Sequence, residues 1–197
     1  MNEPPGFTEL TIGPLEPSHR SRVAEILQST ENFRDEEVDV ALELFDESFA
    51  GEDYEFVGAF EVTAESPATT DDLADGRWLM ADGHGRILQG FACYGPSMGT
   101  DRTFDLYWIA VDRAGQGTGC GTVLLSEVER RLEALHARML VVETSSRSDY
   151  TATRGFYLRR GYVEAARVRE FYAPEDDRII LTKRLAGSPR QGWGAVA

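Results

Sequence analysis

Residues 115–121 read Gly-Gln-Gly-Thr-Gly-Cys-Gly, and the rest of the chain is organised around this glycine-rich stretch. The preceding residues 106–111 are aromatic, β-branched or otherwise apolar, which predicts a buried strand. The apolar residues that follow recur at helical spacing: Val123, Leu124, Leu125, Val128, Leu132 and Leu135. A strand, a glycine-rich turn and an amphipathic helix in this order place backbone N–H groups at a helix N-terminus, where phosphate binds well.

The spacing of the glycines restricts the phosphate ligand. A P-loop would end in Gly-Lys-Ser/Thr, and no lysine lies near residues 115–121. A dinucleotide loop would need a third glycine where the three possible registers have Cys120, Thr122 or Leu124. The pattern that fits is Gln-x-x-Gly-x-Gly, from Gln116 through Gly119 to Gly121. It resembles the acetyl-CoA pyrophosphate loop of the GNAT superfamily of N-acetyltransferases.

A second stretch resembles the same superfamily. Residues 138–144 predict another buried strand, and residues 156–162 end in a sequence similar to the family's Tyr-x-x-x-Gly-Phe/Tyr signature. Tyr157 then occupies the position of the catalytic tyrosine. Seven residues earlier, where the family often has Asn, this chain has Tyr150. The resemblance covers roughly residues 86–185.

The resemblance implies a fold and a cofactor site. The expected fold is α/β (α+β), with a mixed, mostly antiparallel central sheet of about six or seven strands and helices on both faces. The backbone of Ile109, Ala110 and Val111 is expected to pair with the pantetheine of acetyl-CoA. Main-chain N–H groups of the glycine-rich loop are expected to hold its diphosphate, from Gln116, Gly117, Thr118, Gly119, Cys120, Gly121 and Thr122.

Acetyl transfer to an amine also needs an acid and a base. Tyr157 is the expected acid, because a phenol of pKa about 10 can protonate a leaving thiolate. Asp105, eleven residues before Gln116, matches a strand carboxylate that some GNAT members use as base. Glu143 is the competing base, and deprotonation through solvent is the third alternative. Cys120 lies in the diphosphate loop, so a small packing residue is expected there rather than an acyl-cysteine.

Composition and charge narrow the partners. The net charge is −14, and residues 1–100 carry 21 acidic and 5 basic side chains. Nucleic-acid and membrane-surface binding are disfavoured, because both depend on Lys and Arg. The acidic first half instead suggests a cationic amine as acceptor, such as a polyamine, an aminoglycoside or a basic N-terminus. With two cysteines, no apolar span of 18 or more residues and no signal peptide, a cytoplasmic location is the expectation.

The remainder of the chain predicts one GNAT domain over residues 7–185, between a disordered N-terminus (1–6) and a flexible tail (186–197). Residues 8–12 predict a first strand, and Ser18 is expected to cap the first helix. A second helix is predicted over 35–49, with Val40 on its buried side. Further strands are predicted over 54–62, as a hairpin of 77–81 with 87–94, and as closing strands 162–167 and 178–182.

Two other function classes stay open at this point. One is a non-catalytic module of the same fold that binds or senses acyl-CoA, and the other is an enzyme with a nucleotide cofactor, such as a dehydrogenase. No metal site is expected, because His19, His84 and His136 do not cluster with carboxylates at ligand spacing. The resemblance also allows a homodimer, which is common in the superfamily.

Overall fold

The computed structural model describes residues 10–51, 53–62 and 86–186. Its helices are α1 (Arg20–Ser29), α2 (Asp35–Glu47), α3 (Cys120–Ala134) and α4 (Thr151–Leu158). Its strands are β1 (Leu10–Pro14), β2 (Glu55–Val62), β3 (Arg86–Pro96), β4 (Thr103–Val111), β5 (Met139–Ser145), β6 (Val163–Ala173) and β7 (Asp176–Arg184). No helix in these described ranges is long and apolar enough to span a membrane.

These strands form one sheet in the order β1-β2-β3-β4-β5-β7-β6. The pairs β1/β2, β2/β3, β5/β7 and β6/β7 are antiparallel, and β4/β5 is parallel. A parallel pair needs a long crossover connection, which here contains the glycine-rich loop and α3. The prediction of a mixed, mostly antiparallel sheet of six or seven strands is confirmed.

Contacts along the chain define two compact units. The first comprises the residues up to Tyr94 together with Trp108–Val128. Its core joins the apolar stripes of α1 and α2 to side chains of β2 and β3, including Ile26, Phe45, Phe60 and Phe91. The stripe on α1 recurs at i, i+3 and i+4, from Val23 to Ile26 and Leu27, and all three side chains are fully buried.

The second unit comprises Gly95–Tyr107 and the residues from Glu129 onward. Strand β7 lies between β5 and β6, whereas every residue of β6 is exposed. Helix α4 ends in a Schellman motif. The N–H of Gly161 donates to the carbonyl of Leu158 and the N–H of Tyr162 to that of Tyr157, both at 3.2 Å. Gly161 has the required left-handed backbone, with φ of 85°.

Several local predictions are wrong, each for a physical reason. Ser18 does not cap α1, because a 3₁₀ turn (Pro17–His19) precedes the helix and the N–H of Glu16 donates to Nδ1 of His19 at 2.9 Å. Helix α2 ends at Glu47, two residues early, and Val40 on it is 47% exposed. The helical period places Val40 away from the stripe of Val38, Ala41, Leu42 and Phe45, whose side chains are buried.

The strand predictions differ mainly in burial and length. Strand β4 is half-buried rather than buried, since only Thr103, Leu106 and Ala110 are inaccessible. On α3, the predicted stripe holds except at its two ends, Val123 and Leu135, which are exposed. Strand β6 extends to Ala173, beyond the predicted end at residue 167. The predicted strand 77–81 and both chain ends, 1–6 and 187–197, lie outside the described residues.

Candidate functional site

The glycine-rich loop of the first unit has the geometry of an anion-binding turn. Gly117 and Gly119 adopt positive φ values of 81° and 97°. A Cβ built on either residue would meet no atom within 4 Å. Glycine is therefore required by the backbone conformation, and the space beside both residues is open to a ligand.

The main-chain donors of this loop point to the same chemistry. The carbonyl of Gly119 accepts from the N–H groups of Thr122 and Val123, which begins α3. Among residues 115–122, all of which the structure describes, the N–H groups of Gly117, Gly119, Cys120 and Gly121 have no hydrogen-bond acceptor. Unpaired donors beside the positive end of a 15-residue helix favour an anion such as a diphosphate.

Two side-chain hydrogen bonds hold the first part of this loop. The side-chain amide of Gln116 donates to the carbonyl of Val111 at 3.3 Å. The hydroxyl of Thr118 donates to the carbonyl of Gly115 at 2.7 Å. The side chain of Gln116 therefore ties the loop to the end of β4, a role that the sequence pattern did not indicate.

The end of β4 packs closely against β3 in the same unit. The N–H of Asp112 donates to the carbonyl of Gln89 at 2.8 Å. A Cβ on Gly90 would lie 2.7 Å from the carbonyl oxygen of Ala110 and 3.2 Å from Sγ of Cys120. Gly90 thus permits the position of β4 that presents Ile109, Ala110 and Val111.

In the second unit, the two candidate bases share one face of the sheet. Asp105 on β4 pairs with Val141 on β5, so Glu143, two residues on, points to the same side. Glu143 pairs in register with Ile180 of β7, which places Arg178 on that side too. Arg178 makes an ion pair with Glu143 and stacks its guanidinium on Phe171, 4.8 Å from the ring centroid.

Electrostatics distinguish these carboxylates. Burial raises the pKa of Asp105; a hydrogen bond from Ser97 opposes the shift, the nearby Glu143 adds to it and Arg178 opposes it. Glu143 is 40% exposed at its side chain and is held by Arg178. Glu143 therefore faces both solvent and a cation at its position on β5.

Tyr157 lies on α4 in a cluster of aromatic rings. It is 3% exposed and makes edge contacts with Phe156 and Tyr162, at centroid distances of 5.1 and 5.3 Å. Burial raises its pKa above that of a free phenol, which keeps the hydroxyl protonated at neutral pH. The hydroxyl of Tyr162 donates to Glu129 at 3.0 Å, and Lys183 pairs with the same carboxylate at 2.7 Å. This chain of contacts fixes the ring against which Tyr157 packs.

The remaining candidate residues are Tyr150 and the two cysteines, Cys93 and Cys120. Tyr150 is the residue before α4, and the guanidinium of Arg147 lies 5.5 Å from the centroid of its ring. Cys93 and Cys120 are reduced and buried. Burial raises the pKa of the Cys120 thiol to about 11 and that of Cys93 further, so neither is a ready thiolate.

Comparison with known proteins identifies the family. The acetyltransferase (GNAT) domain family matches residues 74–164. A solved GNAT-family protein from Desulfovibrio desulfuricans is 35% identical, with a TM-score of 0.73, covering 90% of this chain and 100% of that one. The chain belongs to the GNAT superfamily. As a GNAT N-acetyltransferase, it is an acyltransferase of the EC 2.3.1 type.

More distant structures share the GNAT fold. The ribosomal-protein-S18-alanine N-acetyltransferase from Escherichia coli is 21% identical, with a TM-score of 0.66 over 94% of this chain and 100% of that one. YncA from Salmonella typhimurium, solved with acetyl-CoA, is 16% identical, with a TM-score of 0.64 over 94% and 99%. No curated protein sequence matches this GNAT chain significantly.

The sequence analysis of this GNAT protein did not identify two buried charged residues, Arg22 and Asp112. Asp112 is 1% exposed, and its Oδ2 lies 2.8 Å from Nη2 of the buried Arg22. A signal was present, because Arg22 lies four residues before Ile26 and so falls on the apolar stripe of α1. Asp112 directly follows an apolar strand, where a buried charge requires a partner. Elsewhere in the described residues, no group of three His, Cys, Asp or Glu side chains is arranged to hold a metal ion.

Proposed function

We propose that this GNAT protein transfers an acetyl group from acetyl-CoA directly to a primary amine, within a ternary complex. The observation that carries the proposal is the loop at the start of α3. Its N–H groups at Gly117, Gly119, Cys120 and Gly121 are unpaired among the described residues, beside two glycines with open space around them. This arrangement suits a diphosphate, the most highly charged linkage in the arm of coenzyme A.

The pantetheine arm is assigned to the backbone of β4. The register of β4 with β5 covers Thr103 to Leu106 and stops before Ile109. The later residues Ile109, Ala110 and Val111 are proposed to form strand-like hydrogen bonds to the pantetheine amides. The N–H groups of Gln116, Thr118 and Thr122 donate to carbonyls within the turn, so these residues are proposed to shape the loop around the diphosphate.

The chemistry follows from one acid and one base. The amine nitrogen attacks the thioester carbonyl carbon, the C–S bond breaks, and the acyl group stays on nitrogen. Asp105 accepts the proton that the ammonium loses, because its raised pKa makes it a stronger base than an ordinary aspartate. Tyr157 donates its phenolic proton to the departing thiolate. Glu143 is assigned a supporting role, since it is already engaged by Arg178.

Direct transfer is favoured over an acyl-enzyme. A covalent route would need a nucleophile with appreciable thiolate character near neutral pH. The pKa of Cys120, raised by burial to about 11, and the higher pKa of Cys93 work against that requirement. A ternary complex therefore needs the fewest assumptions about the described side chains.

A cationic acceptor is proposed from charge. Asp105 and Glu143 share a face on which Arg178 is the neighbouring cation, and the first hundred residues carry a net charge of −16. Such a field attracts a protonated amine and weakens in salt. We expect polyamines, aminoglycosides or basic N-termini to show KM values that rise with ionic strength. A KM insensitive to both salt and acceptor charge would remove this part of the proposal.

The deciding experiment is release of free CoA thiol across a panel of amines. The wild-type protein should release thiol with at least one amine, whereas a non-catalytic CoA-binding module would bind CoA and release none. Tyr157→Phe should lower kcat by about 10²- to 10⁴-fold, the usual contribution of an acid, while CoA affinity stays near wild type. Tyr94→Phe is the matched control, since it removes the hydroxyl of another buried tyrosine, which donates to Glu55 in the first unit. Equal turnover of Tyr157→Phe and wild type would remove Tyr157 from the mechanism.

A further inference from the structure

We propose that Arg22 and Asp112 are positioning residues for the donor site: their buried ion pair sets the loop that receives the diphosphate of acetyl-CoA. The inference rests on the proposed function for the identity of the ligand. It concerns how the first unit holds the loop in a binding conformation. Both side chains are buried, so the proposal assigns them no contact with the ligand itself.

The geometry gives each oxygen of Asp112 a separate task. Oδ2 accepts a hydrogen bond from Nη2 of Arg22 at 2.8 Å, and Oδ1 accepts one from the N–H of Ala114 at 2.9 Å. The second contact caps the 3₁₀ turn Arg113–Gly115, which leads directly into Gln116. The carbonyl of Asp112 also accepts from the N–H of Gly115 at 2.8 Å. One carboxylate thus orients the turn from which the diphosphate loop departs.

Arg22 fixes the orientation of that carboxylate. Its Nε donates to the carbonyl of Leu88 on β3 at 3.1 Å, and its Nη1 to Glu25 at 3.0 Å. These contacts leave the guanidinium little freedom, because its three donor nitrogens are all engaged and its side chain is only 10% exposed. Charge-assisted hydrogen bonds away from water hold geometry more firmly than those at the surface. Helix α1 and strand β3 therefore determine the direction of Oδ1.

A second ion pair joins this turn to the segment that follows α1, and it is weaker. The side chains of Arg113 and Glu31 pair at 2.8 Å but are 64% and 72% exposed. Exposed ion pairs contribute little and are screened by salt. The buried pair is thus the contact expected to control the loop, and Glu31→Gln should leave donor affinity within twofold.

The test compares two donors in the full-length protein. Acetyl-pantetheine lacks the diphosphate, so a loop defect should not change its use. Asp112→Ala is expected to raise the KM and Kd for acetyl-CoA at least tenfold, with kcat at saturation within twofold and the KM for acetyl-pantetheine unchanged. Arg22→Lys keeps the charge with a single donor nitrogen and should give an intermediate rise. Asp46→Ala is the matched control, because it breaks an exposed ion pair between Arg20 of α1 and Asp46 of α2.

Three results would overturn the inference. These are an unchanged KM for acetyl-CoA in Asp112→Ala, an equal loss for both donors, and the same loss in Asp46→Ala. If Asp112→Ala fails to fold, Arg22→Lys decides by the same criterion.

Amide hydrogen exchange separates this inference from the proposed function. In the ligand-free protein, Asp112→Ala should accelerate exchange at Ala114 and Gly115 at least tenfold, because their acceptors lie on or follow from Asp112. If the wild-type protein neither binds CoA nor releases thiol, the proposed function fails. Accelerated exchange in Asp112→Ala would then still support a positioning role for the Arg22–Asp112 ion pair, and unchanged exchange would refute that role.

Discussion

Replacing Gly90 by alanine tests the close approach of β3 to β4. The added Cβ would lie 2.7 Å from the carbonyl oxygen of Ala110, so restoring a separation of 3.0 to 3.4 Å requires β4 to move by about 0.3 to 0.7 Å. The contact is with backbone, which cannot rotate away as a side chain can. Overpacking of this kind costs about 1 to 3 kcal/mol of the free energy of unfolding. At about 2 to 4 °C per kcal/mol for a chain of this size, the Tm should fall by about 2 to 12 °C.

The same displacement should weaken donor binding, because Ala110 belongs to the proposed pantetheine-pairing backbone. We expect the KM for both acetyl-CoA and acetyl-pantetheine to rise, in contrast to the loop defect of Asp112→Ala. Thermal unfolding followed by circular dichroism and steady-state kinetics give the two readouts. Gly51→Ala is the control, since its Cβ would meet only the carbonyl of Glu47 at 3.8 Å. A Tm for Gly90→Ala within about 1 °C of wild type would refute the packing argument.

Three further predictions concern the second unit. Burial raises the pKa of Asp105 in the folded protein, so the contribution of Asp105 to stability falls as the pH rises from its unfolded pKa through its folded pKa. Asp105→Asn should therefore raise the Tm at pH 7 while it lowers kcat. A lower Tm would contradict the burial argument. Glu143 raises the pKa of Asp105, so Glu143→Gln should shift the acid limb of the kcat/KM profile to lower pH. Arg178 lowers that pKa, so Arg178→Met should shift the same limb to higher pH. Loss of turnover in Glu143→Gln alone would make Glu143 the base. Gly161→Ala should cost about 1 to 2 kcal/mol by forcing a left-handed backbone, with Gly161→Asn less affected, and equal unfolding midpoints in denaturant would contradict this.

The elements around the donor loop could be predicted from the sequence because their patterns are local. The apolar run before Gly115 and the spaced leucines after Cys120 specify a strand and a helix without long-range information. The mixed, mostly antiparallel sheet was expected from the resemblance to the GNAT superfamily, and the strand order was not predicted. Burial on β4 was overestimated, since an apolar run does not reveal whether one face or two are covered.

The candidate site was predicted unevenly for a related reason. The positive φ values of Gly117 and Gly119 are a backbone property that the residue type itself indicates. The buried ion pair joins Arg22 to Asp112, which are 90 residues apart in the sequence. Local sequence patterns therefore could not predict this pairing. The partner that engages Glu143 is likewise distant, because Arg178 lies on another strand.

The Schellman motif after α4 has a consequence for how such sequences are interpreted. Gly161 supplies the left-handed turn, and the rings of Tyr157 and Tyr162 make the apolar contact that accompanies the cap. Gly161 and Tyr162, two of the three signature residues, therefore serve to end the helix, whether or not the protein turns over substrate. In a diverged paralogue that has lost activity, the glycine and the second aromatic should persist while the phenol at the first position drifts to phenylalanine. Under the proposed mechanism, the phenolic oxygen of Tyr157 is the part of the signature that would report on catalysis.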